Sequence, residues 1–300
     1  MRLINSSVKI IPQEPGLLGV YKQIEIGGRT AYKSEDKIIE DSAKAFVDML
    51  ISRGHTAPLE QGTIYLQRNA TPEALLWQNK YSNNKYSVSK IVSKTNTTEP
   101  GMIVVTTNAR VIYENDWQDD LQYLCEPTEY HEKRITVRFI CSRAIANELV
   151  RHRVFSFVQE SSRYCNYNKD KFGNETTYII PSWADLEEGE YEDLHYRNDI
   201  DRSIITVNGK DLYFGDDLDN KTYNFLRSLY EAEFSYLFMI NSRELTPQFA
   251  RDVLPLATKT EVVMTGFESD WKQFFELRCD SAAHPDMQKL ANELKEKMKC

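Results

Sequence analysis

Residues 134–141, RITVRFIC, alternate with a period of two, and the following SRAIANELVRHR changes to helical spacing, with Ile145, Leu149 and His152 on one face. A strand that passes directly into a helix delivers whatever stands at the helix's C-terminal end, here Arg151, His152 and Arg153. The chain continues as VFSFVQESSRYCNY, so residues 151–167 set three arginines, a histidine and three serines among aromatics. The net charge is −8 and the isoelectric point about 5.3, which makes this cluster a local departure from an acidic background. An acidic chain lacks the basic face needed to coat a nucleic-acid backbone, but it can carry a local anion pocket.

The 300 residues are 41% hydrophobic, enough for a substantial core. The five cysteines, Cys125, Cys141, Cys165, Cys279 and Cys300, are widely spaced and form no CxxC pair, so neither a disulfide framework nor a metal site is expected. There is no secretory signal pattern, and charges such as Arg138 and Arg143 interrupt the apolar segments. A soluble protein of the reducing cytoplasm, with no membrane partner, is expected.

VKIIP and GVYKQIEI read as short strands. A helix is expected from Ser34 as N-cap to a stop at Gly54, with Ile39, Ala43, Phe46 and Leu50 as its apolar stripe. GHTAPLEQ reads as a loop leading into a strand, GTIYLQ. Residues 69–101 read as a polar surface excursion with a short helix near its start, MIVVTTNARVIYE as a strand pair or bent strand, and residues 185–220 as an irregular, solvated connection. A long helix follows, with Phe225, Leu229, Ala232, Tyr236 and Met239 on one face. A short helix bounded by Pro247 and Pro255 carries Arg251. Two last helices align Trp271, Phe274, Phe275 and Arg278, then Met287, Leu290, Leu294 and Met298.

Arg278 is the sharpest of the candidate residues, because an arginine on an apolar stripe keeps its charge and must be paired or bound to an anion. An ion pair with a neighbouring Asp or Glu accounts for it; so does a cleft in which it grips a carboxylate, phosphate or polarised carbonyl. Arg251 poses the same choice. Arg151, His152 and Arg153 can be read as cations stabilising a helix C-terminus, but the donors that follow suit a phosphate beside a planar ring. His55 and Glu60 stand in a loop, where polar groups are available to a ligand. No dinucleotide-binding, P-loop, zincin or serine-hydrolase motif is present.

Arg151-His152-Arg153, seven residues and then Ser161 resembles the signature of the flavin-dependent thymidylate synthases, and the likeness continues through Ser156, Arg163 and Tyr164. GHTAPLEQ, FARDVLPL and LRCDSAAHPDMQ resemble the family's other segments in the right order. The chain departs from the pattern at Val158 (Asn in the family), Gln159 (Glu) and Glu148 (often Gln). The resemblance implies an α+β fold of mixed helix and antiparallel sheet, a single domain over residues 1–300 with insertions near 69–130 and 185–220, and an intertwined homotetramer with shared sites. It implies that His55, Glu60, Arg151, His152, Arg153, Gln159 and Gln273 contact FAD. Glu148, Leu149, Val150, Arg151, Gln159, Glu160, Ser161, Ser162, Arg163, Arg251 and Arg278 would bind dUMP, with Ser161–Arg163 on its phosphate and Arg278 favouring the ionised uracil. The implied reaction is reductive methylation of dUMP to dTMP with 5,10-methylenetetrahydrofolate, NADPH and FAD, without a cysteine nucleophile. A nucleotide- or RNA-binding protein without catalysis, and a structural protein with internally paired arginines, are the rival readings.

Overall fold

The computed structural model describes residues 1–93, 101–169, 172–196 and 203–299. The chain enters through β1 (Arg2–Ile4) and β2 (Ser7–Ile11), then forms α1 (Gly16–Tyr32) and α2 (Ser42–Ser52). GVYKQIEI, expected as a strand, is the first half of α1: Val20, Ile24, Gly27 and Gly28 are buried at helical spacing. A Cβ on Gly28 would lie 2.6 Å from the Phe46 ring, so glycine is what lets α1 approach α2 this closely. The helix expected from Ser34 begins later. Ser34 introduces only a single 3-10 turn, Glu35–Lys37, and α2 starts at Ser42, leaving Ile39 exposed while Ala43, Phe46 and Leu50 reach the core as expected.

Next come β3 (Thr63–Asn69), α3 (Pro72–Ser82), β4 (Val88–Val92), β5 (Met102–Asn108) and α4 (Ala109–Glu114). The excursion after residue 69 is therefore more than surface: Trp77 and Tyr81 of α3 are buried against β3 and β5, and β4 completes a sheet of order β3-β5-β4. MIVVTTNARVIYE is a strand followed by a helix, not a strand pair, because Asn108 Oδ1 accepts the Val111 N–H at 3.1 Å and caps α4.

β6 (Arg134–Ser142) and, after α5 (Arg143–Leu149), β7 (Ser156–Gln159) join β2 and the late strand β12 (Lys259–Phe267) in the second sheet, which is antiparallel with the order β2-β6-β12-β7. β8 (Thr177–Ile179), β9 (Gly189–Tyr196), β10 (Ser203–Val207) and β11 (Lys210–Tyr213) join β1 in a third sheet, β11-β10-β9-β1-β8, whose β1–β8 pair is parallel. The irregular connection expected over 185–220 is thus largely a meander. Asn208-Gly209, both at positive φ (49° and 79°), turns β10 into β11 while Ile204, Ile205 and Val207 bury. Parts of the two expected insertions, residues 94–100 and 197–202, lie outside the described residues, as do residues 170–171 and Cys300.

The chain closes with α6 (Asn220–Arg243), α7 (Pro247–Ala250), β12 (Lys259–Phe267), α8 (Glu268–Arg278) and α9 (Pro285–Met298). In α6 Leu229 and Tyr236 are buried as expected, but the core-facing stripe also takes Tyr223, Leu226 and Glu233, a rotation from the expected one. The largest side chains of α8 and α9, Trp271, Phe274 and Leu290 among them, pack with Phe139 and Val262 on one face of the second sheet. The opposite face, turned to α1, carries the charged residues that frame the site. The architecture is mixed α+β with predominantly antiparallel sheets.

Candidate functional site

Ser142 Oγ accepts the Ile145 N–H at 3.3 Å and starts α5; the helix ends at Leu149, so Arg151–Arg153 form the turn beyond it. In that turn the Arg151 N–H reaches Glu148 O and the His152 N–H reaches Leu149 O. Arg151 and Arg153 are exposed; His152 is half-buried against Phe274, ring centroids 5.1 Å apart. Leu149 is wholly buried in the core, whereas Val150 is exposed.

Arg278, at the end of α8, meets this turn. Its Nε donates to His152 Nε2 at 2.8 Å and its Nη1 to Glu148 Oε2 at 2.9 Å. Of the two explanations left open for Arg278, the ion pair is present within the chain, with Glu148 as partner. Burial, reinforced by the Arg278 charge, pushes the His152 pKa down to about 4. The imidazole is therefore neutral at pH 7, and since Nε2 accepts from a guanidinium, its proton is on Nδ1.

β7 leads away from this group along the sheet edge. Phe155, just before it, packs so closely on β12 that a Cβ on Gly266 would lie 2.2 Å from its ring. Gln159 Nε2 donates to Thr260 Oγ1 at 3.3 Å, and Val158 is buried. At the far end the Ser161 N–H bonds to Ala31 O at 3.0 Å, and Tyr164 packs on Tyr32 with centroids 5.4 Å apart, docking the turn on the end of α1. Ser162 is buried with its Oγ 3.4 Å from Arg251 Nη1, while Arg163 is exposed beside the Tyr164 ring. Arg251 and Ser162, 89 positions apart, are thus brought together. Glu160 is buried and paired with Lys259 at 2.9 Å, an internal partner that the resemblance did not provide.

Sequence reasoning missed the charges behind this turn. Glu261 is 5% exposed and gathers Lys33, Lys259 at 2.6 Å, and Arg138, the last at 3.6 Å. Burial alone would raise its pKa; Lys259 and Lys33 overcome that and hold it at about 2. The signal was legible: Lys259 and Glu261 stand two apart at the head of the run VVM, which puts two charges on one face of a buried strand. Two further groups behind the turn are buried without a hydrogen-bond partner, Arg143 Nη2 and Tyr167 Oη. Burial, and then the Glu160 charge, raises the Tyr167 pKa well above the usual phenol value.

A cleft of about 740 Å³ opens between the end of α1, α2 and the turn, lined by Arg29, Tyr32, Phe46, Arg53, His55 and Tyr164 among others. Its size suits a drug- or cofactor-sized ligand. His55 and the motif residue Tyr164 are brought together here. Glu60 is not: it holds Arg110 at 2.6 Å and lines a separate, smaller cleft with Asn84 and Asn108. Gln273 is exposed on α8, which buries its neighbours Phe274 and Phe275. Among the described residues, no helix is long and apolar enough to cross a membrane, and no group of three or more His, Cys, Asp or Glu could hold a metal ion.

These features define an α+β protein with two arginine-bearing groups at opposite ends of one short strand, one beside a ligand-sized cleft. Residues 125–300 match the profile of the thymidylate synthase complementing protein family, and the chain belongs to that family. His55 and Glu60 lie outside the matched range. The chain is 29% identical over 153 residues to the flavin-dependent thymidylate synthase of Mycobacterium avium, covering 51% of this chain and 52% of that protein. The namesake from Mycobacterium tuberculosis is 32% identical over 153 residues (51% and 52%), and that from Corynebacterium efficiens 30% over 158 (53% and 54%). The chain spans about half the length of the curated relatives it matches. Among solved structures it is similar to a UMP/dUMP methylase from Streptomyces cacaoi bound with 5-Br dUMP, at 17% identity and a TM-score of 0.42, covering 99% of this chain and 92% of that one.

Proposed function

We propose that the protein is a flavin-dependent thymidylate synthase that converts dUMP to dTMP. Family membership is the observation that carries this reading. Its site residues remain those the resemblance implied, qualified by their surroundings: Arg251, Ser161, Ser162 and Arg163 take the dUMP phosphate, and Glu148–Arg151, Gln159 and Glu160 flank the nucleotide. Leu149 contributes from the core beneath the turn, Glu160 from its pair with Lys259. The orphaned Arg143 Nη2 and Tyr167 Oη leave donors unsatisfied behind the turn, as a site for a polar ligand does.

The cleft fits a flavin by its volume, its aromatic walls of Tyr32, Phe46 and Tyr164, and its cations Arg29 and Arg53. His55 would hold FAD from within the cleft; Glu60, Arg151, His152, Arg153, Gln159 and Gln273 do not line it and would be further contacts from another copy of the chain. When bound, FAD supplies the reducing equivalents, drawn from NADPH, that turn the one-carbon unit of 5,10-methylenetetrahydrofolate into a methyl group. Arg278, held by Glu148 and His152, presents a permanent positive charge that favours uracil ionised at N3. Burial disfavours thiolate chemistry: it pushes the Cys141 thiol to about 12 and Cys125 to about 11, and Cys165 is wholly buried. This supports a reaction without an enzyme cysteine, and free thiols suit the reducing cytoplasm.

Because the Arg278 group and the Ser161–Arg163 turn stand at opposite ends of β7, one nucleotide meets both when a second copy brings its own end alongside. This favours a homotetramer with shared sites and a single domain per chain. The test is a flavin spectrum of purified protein, then a dTMP assay with and without methylenetetrahydrofolate. Folate-dependent dTMP formation supports the reading; protein that stays colourless with FAD overturns it; dUMP binding without NADPH oxidation favours a nucleotide-binding protein.

A further inference from the structure

The charge cluster centred on Glu261 joins the end of α1, the paired strands β6 and β12, and the residue that leads into the Ser161–Arg163 turn. Lys259 bridges Glu261, on its own strand, to Glu160, the residue immediately before Ser161. Lys33 reaches Glu261 from the end of α1, whose neighbouring Tyr32 walls the cleft, and also lies 3.3 Å from Glu35. Arg138 approaches from β6. Three cations thus enclose two carboxylates that are each at most 7% exposed in their side chains.

The backbone of Lys33 sharpens the point. It caps α1 in the left-handed region at φ 46°, where glycine is free of the steric cost that any Cβ meets. Glycine there would relax the cap but leave Glu261 without one of its cations, so the side chain has a task that the helix end does not explain. Docking of the turn on the same helix end, through the Ser161 N–H to Ala31 O, makes the position of the turn depend on the position of α1.

We propose that Glu261 is a positioning residue: by holding Lys33 and Lys259 it fixes the Ser161–Arg163 turn against the end of α1, in the geometry that receives a nucleotide phosphate. The inference rests on the phosphate assignment made above. It assigns no contact between Glu261 and the ligand, so its removal acts on the phosphate alone and leaves recognition of the base and sugar.

The experiment is calorimetric binding of dUMP and of deoxyuridine to the wild-type protein, Glu261→Gln and Lys33→Met, with thermal unfolding as the check on folding. Lys33→Met removes the tie to α1 while keeping the Lys259 pairs, so it serves if the buried Glu261 substitution fails to fold. The expected result is dUMP affinity at least tenfold lower in each folded variant, deoxyuridine affinity within threefold of wild type, and partial recovery in Glu261→Asp. A dUMP-to-deoxyuridine ratio unchanged in the folded variants overturns this inference alone. Wild-type protein that binds no dUMP overturns it together with the functional reading.

Discussion

Arg278 Nε donates to His152 Nε2 at 2.8 Å across 126 positions of sequence, and the same guanidinium holds Glu148 at 2.9 Å. One arginine therefore fixes both the tautomer of a motif histidine and the carboxylate one helical turn before it.

The pH dependence of stability follows from that contact. His152 has a pKa of about 4 in the fold against an ordinary value of 6.5, so the unfolded chain binds the extra proton first as pH falls. Its contribution is complete above pH 6.5 and is lost as pH drops toward 4. Melting temperature should fall across that window, and His152→Gln should flatten the slope; an unchanged slope in the variant would refute the assignment.

Arg278→Ala should reduce turnover by at least a hundredfold, the scale seen when one preorganised electrostatic donor is removed. Part of the loss could come from Glu148, left without its cation. Steady-state kinetics of Arg278→Ala beside Glu148→Gln/Arg278→Ala separates the two: turnover should stay low in both. Normal dTMP formation by either variant would exclude the electrostatic role.

Arg163→Ala and Arg251→Ala should each weaken dUMP binding roughly tenfold or more, since a hydrogen bond to a charged group contributes about 1.5–3 kcal/mol. Neither guanidinium has a carboxylate within ion-pair distance among the described residues, so their loss leaves no stranded anion. Titration calorimetry provides the readout, with equal affinities for variant and wild type as the contrary result.

Gly266→Ala should destabilise the fold by about 1–3 kcal/mol, because the new methyl meets the Phe155 ring at 2.2 Å in a packed core. Denaturant unfolding measures this, and Phe155→Leu in the same chain should recover part of it. Full stability in the single variant would mean that Phe155 has another rotamer available.

Disruption of the exposed stacked pair Phe234 and Phe238, centroids 6.2 Å apart on α6, tests the proposed assembly. Both are exposed in the single chain, a state that a buried subunit contact would relieve. Phe234→Ser/Phe238→Ser should shift the mass measured by light scattering to a smaller species. Retention of the wild-type mass in the variant would remove this patch from the interface.

Legibility in the sequence followed the physics of each segment. The strand-to-helix change at Ser142 and the apolar faces of α8 and α9 were readable because one buried face imposes a clean period. GVYKQIEI was misread because α1 buries glycines and polar residues, Gly28 and Gln23 among them, as well as Val20 and Ile24, so no apolar stripe stood out. The 185–220 meander was hidden by its acidic composition, although Asn208-Gly209 was a usable turn signal. In the site, the nearness of Arg251 to Ser162 and the separation of Glu60 from His55 both had to come from the fold: residues five positions apart, on one short 3-10 stretch and its approach, face different clefts.

By itself the sequence determined the family signature, the residue types that handle anions and the order in which they occur, because local spacing sets which side chains share an element. Tertiary structure alone decided their partners. Arg278 could have faced a ligand or a carboxylate, and only the packing of α8 against the end of α5 put Glu148 there. Glu261 and Lys33, 228 positions apart, became one cluster only when β12 lay beneath α1. Charge pairing falls off over a few ångströms, and proximity on that scale is set by long-range packing that no local period records.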